Sequence, residues 1–156
     1  MNTLIKKFYT AFDNLDADTM VSCYHPEIVF SDSAFGELRG DRAKNMWYML
    51  CHSQKDKKFI VTFSNIEADT TTGQADWTAD YIFSQTNRKV HNKISATFKF
   101  KDGLIIEHRD NFNVHKWAKQ AMGFKGLVLG GTGFFKNKLN IQTNKLLDRF
   151  IASQNK

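Results

Sequence analysis

The sequence predicts an α+β fold in which a curved antiparallel sheet buries one face against N-terminal helices, with an additional helix at the C-terminus. Three observations predict it. Apolar residues recur at helical spacing before residue 55, the spacing changes to two between residues 59 and 112, and helical spacing returns after Val114. A chain of 156 residues with 42% hydrophobic and 13% aromatic content can bury one core of its own. Residues 1–112 are expected to form this body of helices and sheet, and residues 113–156 a basic helical extension packed on the same domain.

Leu4, Ile5, Phe8, Ala11, Phe12 and Leu15 recur every three or four positions, which predicts a helix over 3–14. Asp16 or Asp18 can cap a short second helix carrying Met20, Val21, Cys23 and Tyr24, which ends before Pro26. Ile28 to Phe30 open a strand that runs into Ser31-Asp32-Ser33, and the loop AFGELRG leads to Asp41 as cap of a third helix. That helix buries Ala43, Met46, Trp47 and Leu50. Phe59, Val61 and Phe63 begin the first long strand, and TTTG at 70–73 turns into a second over 74–85. A third follows from Val90 to Phe100. Asp102-Gly103 is a two-residue hairpin signal, so the fourth strand, GLIIEHRDNF, closes an antiparallel meander.

Alternation along that last strand places His108 and Asp110 on the same face as Leu104, Ile106 and Phe112, and sends Arg109 to the other. Titratable groups on an apolar face line a pocket or form a buried ion pair, because burying them unpaired costs several kcal/mol, roughly. As a pocket pair, Asp110 is a base and His108 its orienting partner. Asp32 is either a proton shuttle or the cap of an ordinary turn. Asp80 faces inward only if Trp77, Tyr81 and Phe83 face outward. That arrangement exposes an aromatic patch and implies a homodimer through the outer sheet face; in a monomer the parity reverses and Asp80 leaves the site.

The net charge of +6 is unevenly placed. Residues 1–112 hold 14 Lys and Arg against 15 Asp and Glu, whereas residues 113–156 hold 8 against 1. Lysines spread along a helix read as a solvated face, so neither nucleic acid nor a membrane is expected as a partner. The basic helix is expected to lid the domain or pack on a partner subunit. Cys23 and Cys51 lack metal-ligand or CxxC spacing and read as buried reduced thiols, and the start of the chain carries no signal-peptide core, which suits a cytoplasmic protein. LVLGGTGFF imitates the opening of a dinucleotide-binding unit. Lys136 occupies its third glycine position and no acidic residue follows about 20 positions later, so the glycines are read as loop or helix-packing residues.

The order helix, helix, strand, helix, meander, with FSDSAFGELRGDRA after the first strand and EHRDNF on the last, resembles the SnoaL-like and ketosteroid-isomerase-like families of the nuclear transport factor two-like superfamily. The resemblance spans about residues 4–112 and implies a cone enclosing an apolar cavity with a few acidic or histidine groups. Such domains serve as isomerases, dehydratases, cyclases, epoxide hydrolases and binding modules, so the fold does not name the reaction. Under the resemblance Asp32 falls where the isomerases keep their proton-abstracting aspartate. Asp110 falls where limonene epoxide hydrolases write WRDYF and activate water, and Asp80 matches the other aspartate of that family. Phe8 and Ala96 stand where the isomerases hold their oxyanion-stabilising pair, Thr78 where the hydrolases hold an arginine, and His108 where they hold a tryptophan, so neither activity transfers intact.

The expectation is a lyase, isomerase or hydrolase that needs neither metal nor organic cofactor and acts on a small hydrophobic molecule. Asp110 with His108 is its base, Asp32 and Asp80 are further acid–base groups, and Trp47, Phe112, Thr78 and Phe8 shape the ligand. The alternative is a binding module using the same cavity without turnover, and a remote third reading is an adaptor acting through the basic tail.

Overall fold

The computed structural model describes residues 1–154. Helices α1 (Asn2–Asp13) and α2 (Ala17–Ser22) come first, followed by β1 (Tyr24–Asp32), β2 (Gly36–Arg39) and α3 (Gly40–Gln54). The long strands β3 (Phe59–Ala68), β4 (Thr72–Phe83), β5 (Arg88–Lys101) and β6 (Leu104–Phe112) make the meander. Helices α4 (Val114–Met122), α5 (Phe124–Leu129) and α6 (Gly133–Gln154) complete the described chain.

The six strands form one sheet in the order β2-β1-β6-β5-β4-β3. The meander is antiparallel as expected, but β1 runs parallel to β6, so the sheet is mixed. The residues read as the loop AFGELRG contain the edge strand β2, which pairs back on β1 from Asp32 to Val29. Asp41 lies in the first turn of α3 and does not cap it; the cap position is Arg39, which offers no side-chain bond. Asp16 does cap α2, accepting from the Thr19 amide at 3.0 Å.

Alternation on β5 is almost ideal, with Ile94, Ala96, Phe98 and Phe100 buried against exposed neighbours. Ala75, Trp77 and Ala79 are the buried residues of β4, so its aromatic side faces inward and the expectation of an outer aromatic face is overturned. The argument for a dimer seam on that face lapses with it. The β5–β6 register shifts between Lys99 and Phe100, which brings Ile105 into the core in place of Ile106 and restores the expected parity by His108. Against the concave face α1 packs Ile5, Phe8, Tyr9 and Phe12, all buried. Removing one such ring costs about 3–5 kcal/mol.

The glycines of the false dinucleotide motif have a packing role. Gly126 lies so close to the Ala118 carbonyl of α4 that a Cβ would collide with backbone, and Gly130 meets the Ala118 methyl. The α6 helix is tied to the sheet through the 33–35 loop. Asn140 donates to the Ser33 and Ala34 carbonyls at 3.0 and 2.9 Å, and Asn144 to that of Phe35 at 2.8 Å. Arg42 of α3 bonds Asp148 at 2.6 Å and Asn144 at 2.8 Å, and Leu147 is fully buried.

Candidate functional site

Between the concave face, α3 and α6 lies a cavity of about 720 Å³, walled mainly by aromatic and aliphatic side chains. Asp110 reaches it from β6 and Asp32 from the end of β1. Their placement follows from strand register. Phe30 pairs with His108 and Ser31 with Arg109 in the parallel β1–β6 ladder, so one step further Asp32 and Asp110 stand side by side. Neighbouring strands lie about 4.8 Å apart, and the charge of Asp110 acts on Asp32.

Asp110 is held by a buried relay. Its Oδ1 accepts from Trp77 Nε1 at 3.2 Å and lies 3.0 Å from His108 Nε2. On the other side of the imidazole, Nδ1 lies 2.7 Å from the Tyr24 hydroxyl, which accepts from Trp47 Nε1 at 2.8 Å. The Tyr24 oxygen therefore receives the indole proton and gives its own to His108 Nδ1, which leaves the second imidazole nitrogen as N–H donor to Asp110. Burial, with Asp110 nearby, pushes the Tyr24 phenol well above its usual range and keeps it a neutral donor. Both donors occupy one carboxylate oxygen, so Oδ2 is bonded by no described residue and is available to the cavity.

Asp32 has a different environment. Its Oδ1 accepts from the Ala34 and Phe35 amides at 2.9 and 2.6 Å, so it caps the turn before β2 while facing the cavity. The turn-capping reading of this residue describes its hydrogen bonds, and its place on the cavity wall is compatible with the other. Burial raises its pKa to about 7, partly opposed by the Phe35 amide and reinforced by the charge of Asp110.

Trp47 and Phe112 line the cavity as expected. His108 lies behind Asp110, fully buried, with the ring of Phe98 4.5 Å away. Three expected positions are elsewhere. Phe8 is fully buried beneath the relay, stacked on Tyr24 at 5.4 Å and edge-on to His108, because α1 presents it to the core rather than to the cavity. Thr78 and Asp80 share the outer face with each other, since Trp77 and Ala79 take the inward positions of β4. Thr78 bonds Thr62 at 2.7 Å and Asp80 bonds His91 at 2.7 Å.

The sequence of this cone matches the model of the SnoaL-like domain over residues 5–108. The chain belongs to the SnoaL-like family. Solved structures of the nuclear transport factor two-like fold superpose on it. An LEH-like epoxide hydrolase of M. tuberculosis is 26% identical, with a TM-score of 0.60 over 82% of this chain and 89% of that one. A protein from Xanthomonas campestris pv. campestris assigned as a polyketide cyclase is 17% identical, with a TM-score of 0.61 over 76% and 94%. TerC, crystallised with polyporic acid, is 13% identical, with a TM-score of 0.63 over 76% and 95%. Comparison with curated proteins gives no match.

In this SnoaL-like chain two site residues escaped the sequence reading. Tyr24 looked like the end of the second helix, yet it starts β1, where Ile28, Phe30 and Asp32 share its even numbering and inward direction. Trp77 was read with its parity open; two alanines flanking a tryptophan at spacing two are the mark of a strand face crowded against a core.

Proposed function

We propose that this SnoaL-like protein is a cofactor-free acid–base enzyme acting on a small hydrophobic molecule, with hydrolytic opening of an epoxide as the reaction the arrangement suits best. The observation that carries the proposal is the pairing at one end of the apolar cavity. Asp110 is fixed by two N–H donors with one oxygen free, beside Asp32, which still holds a proton near neutrality. The epoxide hydrolase of M. tuberculosis supports the choice of reaction, as a structural relative more than a quarter identical in sequence.

In the proposed step Asp110 Oδ2 takes a proton from a water molecule as the water oxygen forms a bond to one epoxide carbon. The carbon–oxygen bond breaks, and the departing oxygen takes the proton of Asp32 to give a vicinal diol. Asp110 then returns its proton to the adjacent Asp32, which restores the starting state. His108 is a positioning residue, and Trp47 and Phe112 exclude water from the rest of the ligand.

The test is incubation with a panel of terpene-sized and alkyl epoxides. Wild type is expected to yield diol, and Asp110→Asn to lose at least about 100-fold in turnover while the affinity for an unreactive analogue changes less than about threefold. Tight binding of the panel with no diol from wild type would leave the cavity as a binding module and defeat the enzyme reading.

A further inference from the structure

Large apolar side chains left in solvent are concentrated in one region of this molecule. Of the eight exposed among the described residues, only Ile60 lies outside the C-terminal segment, and Phe124, Leu127, Val128, Leu129 and Phe134 all fall on α5 and the start of α6. Phe124 and Phe134 are 78% and 71% exposed. Clusters of this kind on a soluble domain mark a contact surface. Phe124, Leu127 and Val128 do not line the cavity, so ligand binding gives them no role.

The charge around the cluster has one sign. Lys116, Lys119, Lys125, Lys136 and Lys138 are exposed, and no Asp or Glu occurs from Asn113 to Leu147. Among the described residues the lysines that pair with carboxylates are Lys44, Lys99 and Lys101, none of them here. Lysine is depleted from protein–protein contacts, whereas an apolar strip edged by lysines complements an anionic lipid surface. No helix among the described residues is long and apolar enough to cross a bilayer, so the contact is peripheral.

We infer that α5 and the first turn of α6 dock on an anionic bilayer surface, with Phe124, Val128 and Phe134 entering the headgroup–acyl boundary and the five lysines meeting the phosphates. Lys125, Leu129, Phe134 and Lys138 also line the cavity, so the docked surface includes the cavity rim and a hydrophobic ligand can pass from lipid to site. The docking does not depend on which reaction the cavity supports. It departs from the sequence expectation of no membrane partner, which read the lysines of this segment as a solvated face.

Co-sedimentation of the full chain with phosphatidylcholine vesicles containing about one-third phosphatidylserine tests this. Binding is expected at about 50 mM salt, at least about tenfold weaker on pure phosphatidylcholine, and lost at about 500 mM. Phe124→Ser with Val128→Ser lowers partitioning at least about tenfold. Lys119→Gln with Lys136→Gln weakens binding to the anionic vesicles alone. Absence of wild-type binding at low salt overturns the inference, as does binding that survives the Phe124→Ser, Val128→Ser change. Self-association abolished by the same double change, with no vesicle binding, also overturns it and makes the face a contact between copies.

Discussion

Two aspartate–histidine pairs stand on one sheet, on opposite faces. Asp80 and His91 face each other across β4 and β5 at 2.7 Å, and each side chain is about half exposed. Asp110 and His108 lie two residues apart on β6 at 3.0 Å, and both are almost wholly removed from solvent. The exposed pair is the shorter one, so distance does not separate them. Water screens the outer pair and supplies alternative partners, whereas the inner pair depends on Tyr24, Trp47 and Trp77 for every bond it makes. A carboxylate held only by the protein keeps one orientation, and that is the property a base needs.

The sharpest way to break this contrast is to remove each imidazole. His108→Ala removes the acceptor of the Tyr24 hydroxyl proton and one of the two donors to Asp110 Oδ1, and opens a void among aromatic rings. The expected loss is about 3–5 kcal/mol, or about 10 °C in melting temperature. A fall of less than about 2 °C on thermal unfolding would mean that the relay does not hold the core. Next in size is the effect on turnover. Asp110→Asn should cost at least about 100-fold and Asp80→Asn less than about twofold, measured on whichever epoxide wild type opens. Equal losses would return Asp80 to the site and refute the assignment of faces.

The third effect belongs to Asp32. Its folded pKa is raised, to about 7, above the unfolded value of about 3.9. Below about pH 4 both states are protonated and the residue has no linked cost. As pH rises towards 7 the unfolded chain releases this proton and the folded chain retains it, so stability declines, and above about pH 7 the decline from this group ends. A three-unit difference corresponds to about 4 kcal/mol at most, and contact with a solvent-reachable cavity reduces it to about 2 kcal/mol. Asp32→Asn keeps the acceptor for Ala34 and Phe35 but cannot ionise. Denaturant unfolding between pH 4 and 8 should therefore show wild type losing stability relative to this variant. Parallel curves would show that Asp32 ionises normally in the fold.

Period and parity carried most of this architecture. Two helices, a strand, a third helix and a meander were readable because each buries one face, and the inward direction of Asp110, His108 and Phe112 followed from alternation alone. What escaped depended on long-range pairing. Nothing local says that β1 joins β6 in parallel, yet that ladder brings Asp32 beside Asp110. The direction of β4 stayed open because the resemblance asked Asp80 to face inward while Trp77, Tyr81 and Phe83 share the opposite face, and α1 decided it by packing Tyr9 and Phe12 on Trp77. Asn140, Thr143 and Asn144 drew no notice in the sequence, yet they satisfy the carbonyls of the loop after Asp32. Polar residues that serve distant backbone have the same local pattern as polar residues that serve water.

The smallest expected effect tests the outer face itself. His91→Ala should cost less than about 1 kcal/mol, since a half-exposed pair gains little over hydration of its partners, and the small loss should shrink as salt is raised. The His91 amide keeps its bond to the Gln120 side chain at 2.8 Å whatever the side chain at 91, so the tie between β5 and α4 survives the change. A loss above about 2 kcal/mol that salt does not reduce would show that Asp80 and His91 are covered in the working protein. The outer face would then be an interface, the one arrangement in which burial again makes this pair comparable to its counterpart inside.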